Sequence, residues 1–171
     1  MTARRLESVQ EYYFSKKLRE VAGLILEGKD IINMGIGSPD LAPLPSVVKA
    51  LKASLSHPKA HQYQSYQGLP ELRQGIADFY QRHYQVAVDS TSEVLPLMGS
   101  KEGILHLSMA FLNPGDKVLI PNPGYPTYES VTRLVEAVPV FYDLKPENNW
   151  EPDLAELDKM DLEGVKLLWV N

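Results

Sequence analysis

The chain has 171 residues, 44% of them hydrophobic and 23% charged, with a formal net charge of −5. This is the composition of a globular chain with a core, and an acidic balance without lysine or arginine runs argues against a nucleic-acid footprint or an anionic membrane surface. With no cysteine and four histidines (His57, His61, His83, His106) lacking HxxxH or HExxH spacing, neither a disulfide frame nor a thiolate or zinc site is expected, and the natural partner is a small molecule.

The arginines near the N-terminus are followed by no apolar h-region, and no apolar run is long enough to span a bilayer, so a cytoplasmic protein is expected. From Phe14, the residues Leu18, Val21, Ala22 and Ile25 recur at helical spacing, with Gly28 as the stop. Ile31–Met34 reads as a short strand broken by the turn Gly35-Ile36-Gly37-Ser38-Pro39-Asp40. Ser46 is expected to cap a helix with Val47, Val48, Leu51 and Leu55 on one face.

Residues 57–68, HPKAHQYQSYQG, follow neither period and read as a long functional loop. Pro70 then opens a helix whose apolar stripe is Leu72, Ile76, Phe79, Tyr80 and Tyr84. Beyond it the pattern alternates: strand Val94–Met98, helix Ile104–Leu112, strand Lys117–Ile120, helix Thr127–Glu136, strand Val138–Tyr142, helix Leu154–Met160 and strand Lys166–Val170. Four strands separated by three helices predict an α/β fold with a mostly parallel sheet.

Four loops are shaped for a ligand. In LPLMGSKEGI (95–104), Gly99 turns the chain, Ser100 offers a hydroxyl at a helix N-cap and Lys101 adds a cation, a set that suits an anion. A plain cap is the competing reading, and Glu102 favours it by already complementing the helix dipole. In PNPGYPTY (121–128), three prolines and a glycine stiffen a corner that holds Tyr125 and Tyr128. Tyr125 could stack on a flat ring, or both tyrosines could fill the core edge. Tyr63 and Tyr66 of the long loop could donate to a phosphate or sit at a subunit contact. Gly35 and Gly37 expose backbone N–H groups to a carboxylate, or simply turn the chain. No nucleophile set accompanies these loops, a pattern that suits a bound cofactor carrying the chemistry.

The succession MGIGSPD, HQYQSYQGLPELR, LPLMGSKEGI, NPGDKVLIPNPGYPTY and LLWVN closely resembles the N-terminal part of class I/II aminotransferases, the fold-type I enzymes of pyridoxal 5′-phosphate, from about Ile31 to Asn171. The resemblance implies that Gly99, Ser100 and Lys101 hold the cofactor phosphate and that Tyr125 stacks on its ring. It further implies that Tyr63 reaches the phosphate of the neighbouring subunit in a homodimer, that Gly37 contacts the substrate carboxylate and that Tyr13 faces the partner's substrate pocket. Residues 1–44 would form an arm and a small-domain segment, and residues 45–171 the first part of the cofactor domain.

The family's N-P-T-G motif, its pyridinium-pairing aspartate, its Schiff-base lysine and its substrate arginine are not in these residues, and they are expected beyond Asn171. Lys101 is no substitute for that lysine, since it would sit at the phosphate end of the cofactor and the aldehyde at the other. The implied reaction moves an amino group between an amino acid and a 2-oxo acid through aldimine and ketimine forms of the cofactor. A lyase on the same fold and a non-catalytic regulatory or dimerisation module remain as alternatives.

Overall fold

A computed structural model describes residues 3–7, 9, 11–35 and 37–171, so Ile36 of the first glycine turn lies outside the described residues. The chain divides into two compact units, one of residues 11–96 and one of residues 1–10 with 97–171.

The first unit is helical. Helix α1 (Tyr13–Leu26) half-buries Phe14, Leu18 and Val21 and ends just before Gly28, as its spacing predicts. Helix α2 (Pro45–Ser54) starts two residues earlier than expected. Leu44 is its N-cap and Pro45 its first helical residue, because proline's fixed φ and missing N–H suit that position. Helix α3 (Pro70–Tyr84) likewise opens on proline and buries Arg73 and Ala77.

Two expected strands are absent from this architecture. Ile31–Met34 and Val94–Met98 carry no strand pairing. Alternation marks a segment that can extend, but a strand exists only where a neighbour completes its ladder, and none of the described residues does so here. Ile32 and Met34 accordingly stand in solvent.

The second unit is α/β, with three parallel strands where four were expected. Helix α4 (Ser100–Phe111) precedes β1 (Lys117–Asn122), α5 (Pro126–Leu134) leads to β2 (Val138–Asp143), and a single helical turn α6 (Leu154–Leu157) precedes β3 (Val165–Leu168). Helix α6 and β3 are both shorter than their sequence patterns. Strand order is β2-β1-β3, with β1 at the centre. Its register against β2 runs unbroken from Lys117↔Val138 to Asn122↔Asp143.

A central parallel strand is covered on both faces, which explains the continuous apolar run Val118-Leu119-Ile120. Val118 and Ile120 are 0% and 1% exposed and pack with Leu112 and Ala137, flanked by Tyr128, Val135, Leu167 and Trp169. Helix α4 turns Gly103, Ile104 and Ser108 inward, and α5 turns Thr127, Val131 and Thr132 inward. The buried Thr132 hydroxyl donates to the Tyr128 carbonyl at 2.7 Å, so its polarity costs the core little.

Candidate cofactor site

The chain leaving β1 runs through α5 to β2 on one side, whereas the chain leaving β2 crosses to β3 on the other side of β1, so the connections from the carboxyl ends of these two neighbouring strands run in opposite directions. In open α/β sheets this divergence opens a crevice, and ligands bind there. The corner that follows β1 is Pro123-Gly124-Tyr125, and β3 delivers Trp169 and Val170 to the same end of the sheet.

Gly99 is the N-cap of α4, with φ 99° and ψ 159°, a backbone conformation that L side chains rarely adopt. This corrects the placement of Ser100, which is the first helical residue rather than the cap. The cap must leave helical geometry, and the glycine is the residue that can do so here. No side chain caps the helix. Glu102 lies in the first turn, but its Oε2 accepts the N–H of Met98, outside the helix. A carboxylate in the first turn still complements the helix dipole, so the plain-cap reading stands beside the anion one.

Lys101 brings the two candidate loops together. Its Nζ stands over the Tyr125 ring, 5.9 Å from the centroid, a cation–π contact at the outer edge of the useful range. Tyr125 is the N-cap of α5 and is half-buried. Its ring meets Tyr128 edge-on, with centroids 5.7 Å apart and planes at 88°. Tyr128 in turn lies flat on Trp169, at 5.0 Å and 6°. Tyr128 packs against the core, as the core-edge reading of this corner expects of it.

At the end of β1, Asn122 Nδ2 donates to Asp143 Oδ1 at 2.9 Å and ties the corner to β2. Gly124 is required by close approach, since a Cβ there would lie 2.3 Å from the Pro121 carbonyl oxygen. Tyr142, buried in β2, donates its hydroxyl to the Trp169 carbonyl at 2.7 Å, and burial pushes its phenol pKa up. The Tyr128–Trp169 pair escaped sequence reasoning. Its only signal was an aromatic in the last, buried-looking strand pattern.

Tyr63, Gly37 and Tyr13 belong to the other unit. Tyr63 and Tyr66 are fully exposed, although the backbone of their loop is braced from within. Ala60 N–H donates to the His57 carbonyl at 2.9 Å, Gly68 N–H to Ser65 at 2.9 Å, and the Gln64 amide to the Gln62 carbonyl at 3.0 Å. Gly37 and Tyr13 are exposed, and nothing lies within 4 Å of a Cβ placed on Gly37. Among the described residues there is no group of three metal-ligating side chains, and no helix is long and apolar enough to cross a membrane.

The fold is a parallel three-stranded sheet with flanking helices, and the family profile of aminotransferase class I and II matches residues 29–171. The chain belongs to that family, whose enzymes are transferases that use pyridoxal 5′-phosphate. It is 40% identical over 167 residues to the LL-diaminopimelate aminotransferase of Aquifex aeolicus, covering 98% of this chain and 43% of that protein. The enzyme of the same name from Oleidesulfovibrio alaskensis is 41% identical over 169 residues, 99% of this chain and 44% of its own length. Among solved structures, apo-BacF of Bacillus subtilis superposes with a TM-score of 0.90 at 36% identity, covering 100% of this chain and 44% of that one. The alanine aminotransferase of Pyrococcus furiosus gives 0.88 at 27%, covering 98% and 43%. The chain thus spans under half the length of the relatives it matches.

Proposed function

We propose that the chain is the N-terminal part of a pyridoxal-phosphate aminotransferase that transfers an amino group between an amino acid and a 2-oxo acid as a cytoplasmic homodimer. In this reading residues 1–44 are the arm and small-domain segment, and residues 45–171 begin the cofactor domain. The observation that carries it is the meeting of Lys101 with Tyr125 beyond the carboxyl end of β1. The donor set there fits the cofactor: backbone N–H groups at an α4 start without a side-chain cap, a hydroxyl, an ammonium and a phenol ring.

When bound, pyridoxal phosphate supplies the electron sink for bond breaking at the amino acid's Cα. The protein's task is to hold it. Backbone N–H groups after Gly99 and the Ser100 hydroxyl donate to the phosphate, and the Lys101 ammonium balances its charge. Tyr125 would present its ring to the pyridine face and hold the orientation of the cofactor ring. Tyr63, standing free of its own unit on a braced loop, donates its phenol to the phosphate held by a second copy. The Gly37 N–H contacts the substrate carboxylate, and Tyr13 faces the partner's substrate pocket. The cation beside the phosphate, Lys101, is assigned no covalent role.

Relatives that differ in name, such as the LL-diaminopimelate enzyme and BacF, match this same segment at 36–40% identity. That supports a shared role for the segment in holding the cofactor, with the choice of amino acid made elsewhere. The test is to express the gene at its relatives' full length, add an amino donor and a 2-oxo acid with pyridoxal phosphate, and follow new amino acid against ammonia. New amino acid is expected. Ammonia release without it would replace this reading with a lyase, and no reaction with any donor would replace it with a binding module.

A further inference from the structure

Resting on the reading of Tyr125 as the residue that faces the cofactor ring, we propose that Tyr128 and Trp169 are positioning residues that hold the plane of Tyr125 through an unbroken aromatic stack anchored in the sheet. On one side the Tyr125 ring meets the Lys101 ammonium, at a long 5.9 Å from the centroid. Tyr128 offers a perpendicular contact at 5.7 Å, a geometry that aromatic quadrupoles favour and that penalises rotation of either ring.

Tyr128 can serve as a stop only if it is itself immobile, and three strands secure it. It lies parallel to the Trp169 indole at 5.0 Å. Trp169 donates its backbone N–H to the Leu119 carbonyl of β1 at 2.9 Å and accepts the Tyr142 hydroxyl of β2 on its own carbonyl at 2.7 Å. Trp169 itself continues β3. The Tyr128 hydroxyl reaches only the Val170 carbonyl, at a long 3.5 Å, so its ring rather than its hydroxyl carries the role. The buried Trp169 Nε1 has no partner among the described residues, which agrees with an indole retained for its shape rather than for a hydrogen bond.

Two measurements test this. In the cofactor-free chain, NMR of the Tyr125 ring protons should show shifts set by its neighbours. Tyr128→Phe should preserve them, whereas Tyr128→Leu and Trp169→Leu should move them toward those of a free tyrosine. In the full-length protein, the Kd for pyridoxal 5′-phosphate, from absorbance titration, should rise about fivefold or more in both Tyr125→Leu and Tyr128→Leu. It should stay within about twofold of the parent in Tyr128→Phe, and Tyr125→Leu/Tyr128→Leu should be no worse than Tyr125→Leu alone, because the two act as one unit. The proposal is overturned if Tyr128→Leu leaves the ring shifts in place, or if its loss multiplies with that of Tyr125→Leu. An unchanged Kd in Tyr125→Leu would instead remove the cofactor reading of Tyr125, leaving the NMR arm to decide whether Tyr128 positions it. Should Tyr128→Leu fail to fold, Trp169→Leu against Trp169→Phe makes the same comparison one ring further back.

Discussion

The carboxylate of Glu102 accepts the backbone N–H of Met98 rather than an N–H of its own helix. The carboxylate keeps its charge in the first turn of α4, so what draws a further anion to this pole is the set of backbone N–H groups after Gly99. Lys101 adds to it. In the full-length protein, Lys101→Ala should raise the Kd for pyridoxal phosphate by about 3- to 30-fold at low salt, the range of one charge-assisted contact. The loss should shrink as ionic strength rises. Titration at two salt concentrations checks both, and a loss insensitive to salt would argue against a charge role.

Tyr63 should behave in the opposite way to a core residue. Its ring is fully exposed in the chain, so Tyr63→Phe should leave the melting temperature of the 171-residue chain unchanged. In a full-length dimer the same change should weaken cofactor binding about 3- to 10-fold through one lost hydrogen bond. Paired melting curves and cofactor titrations decide it.

At Gly124 the constraint is space. A methyl group would come 2.3 Å from the Pro121 carbonyl oxygen and 2.9 Å from Pro121 Cγ, so Gly124→Ala must push the corner aside. Overpacking of this kind costs about 1–3 kcal/mol. Urea unfolding should register that loss, and because Tyr125 is the next residue, the Kd for pyridoxal phosphate should rise as well.

Acid should loosen the helical unit at a definite place. The Thr91 backbone N–H and the Ser92 and Thr91 hydroxyls hold the Asp89 carboxyl down at about 2. A carboxyl whose folded pKa lies below its unfolded value, 3.8, stabilises the fold fully above that value. The contribution is then lost as pH falls toward 2. Asp89→Asn should lower the melting temperature at pH 7 and flatten its decline between about pH 4 and pH 2. Thermal melts of both chains across that range test the sign.

With no residue of this segment assigned a covalent role, the 171-residue chain mixed with pyridoxal phosphate, an amino donor and a 2-oxo acid should produce no new amino acid. Turnover would mean that Lys101 or another residue here does more than hold the cofactor.

Sequence reasoning went furthest where one local property decides the outcome. Proline at a first helical turn set the start of α3, and the apolar run Val118-Leu119-Ile120 announced a strand covered on both faces. It failed where a distant partner decides. Val94–Met98 alternates like a strand and finds no ladder, because pairing belongs to the neighbour as much as to the segment. The candidate site shows the same division. Gly99, Lys101 and Tyr125 were legible from turn chemistry and motif order, whereas the engagement of Glu102 by Met98 and the flat packing of Tyr128 on Trp169 depend on where side chains end up.

Trp169 also gives the molecule an optical reporter. The chain has two indoles: Trp150 is 54% exposed on a surface turn, while Trp169 is sandwiched against Tyr128 at the carboxyl edge of the sheet. Exchanging Trp150 for phenylalanine would leave a single indole, stacked on Tyr128. Its colour and quenching would then follow events at that corner in real time, with no label attached.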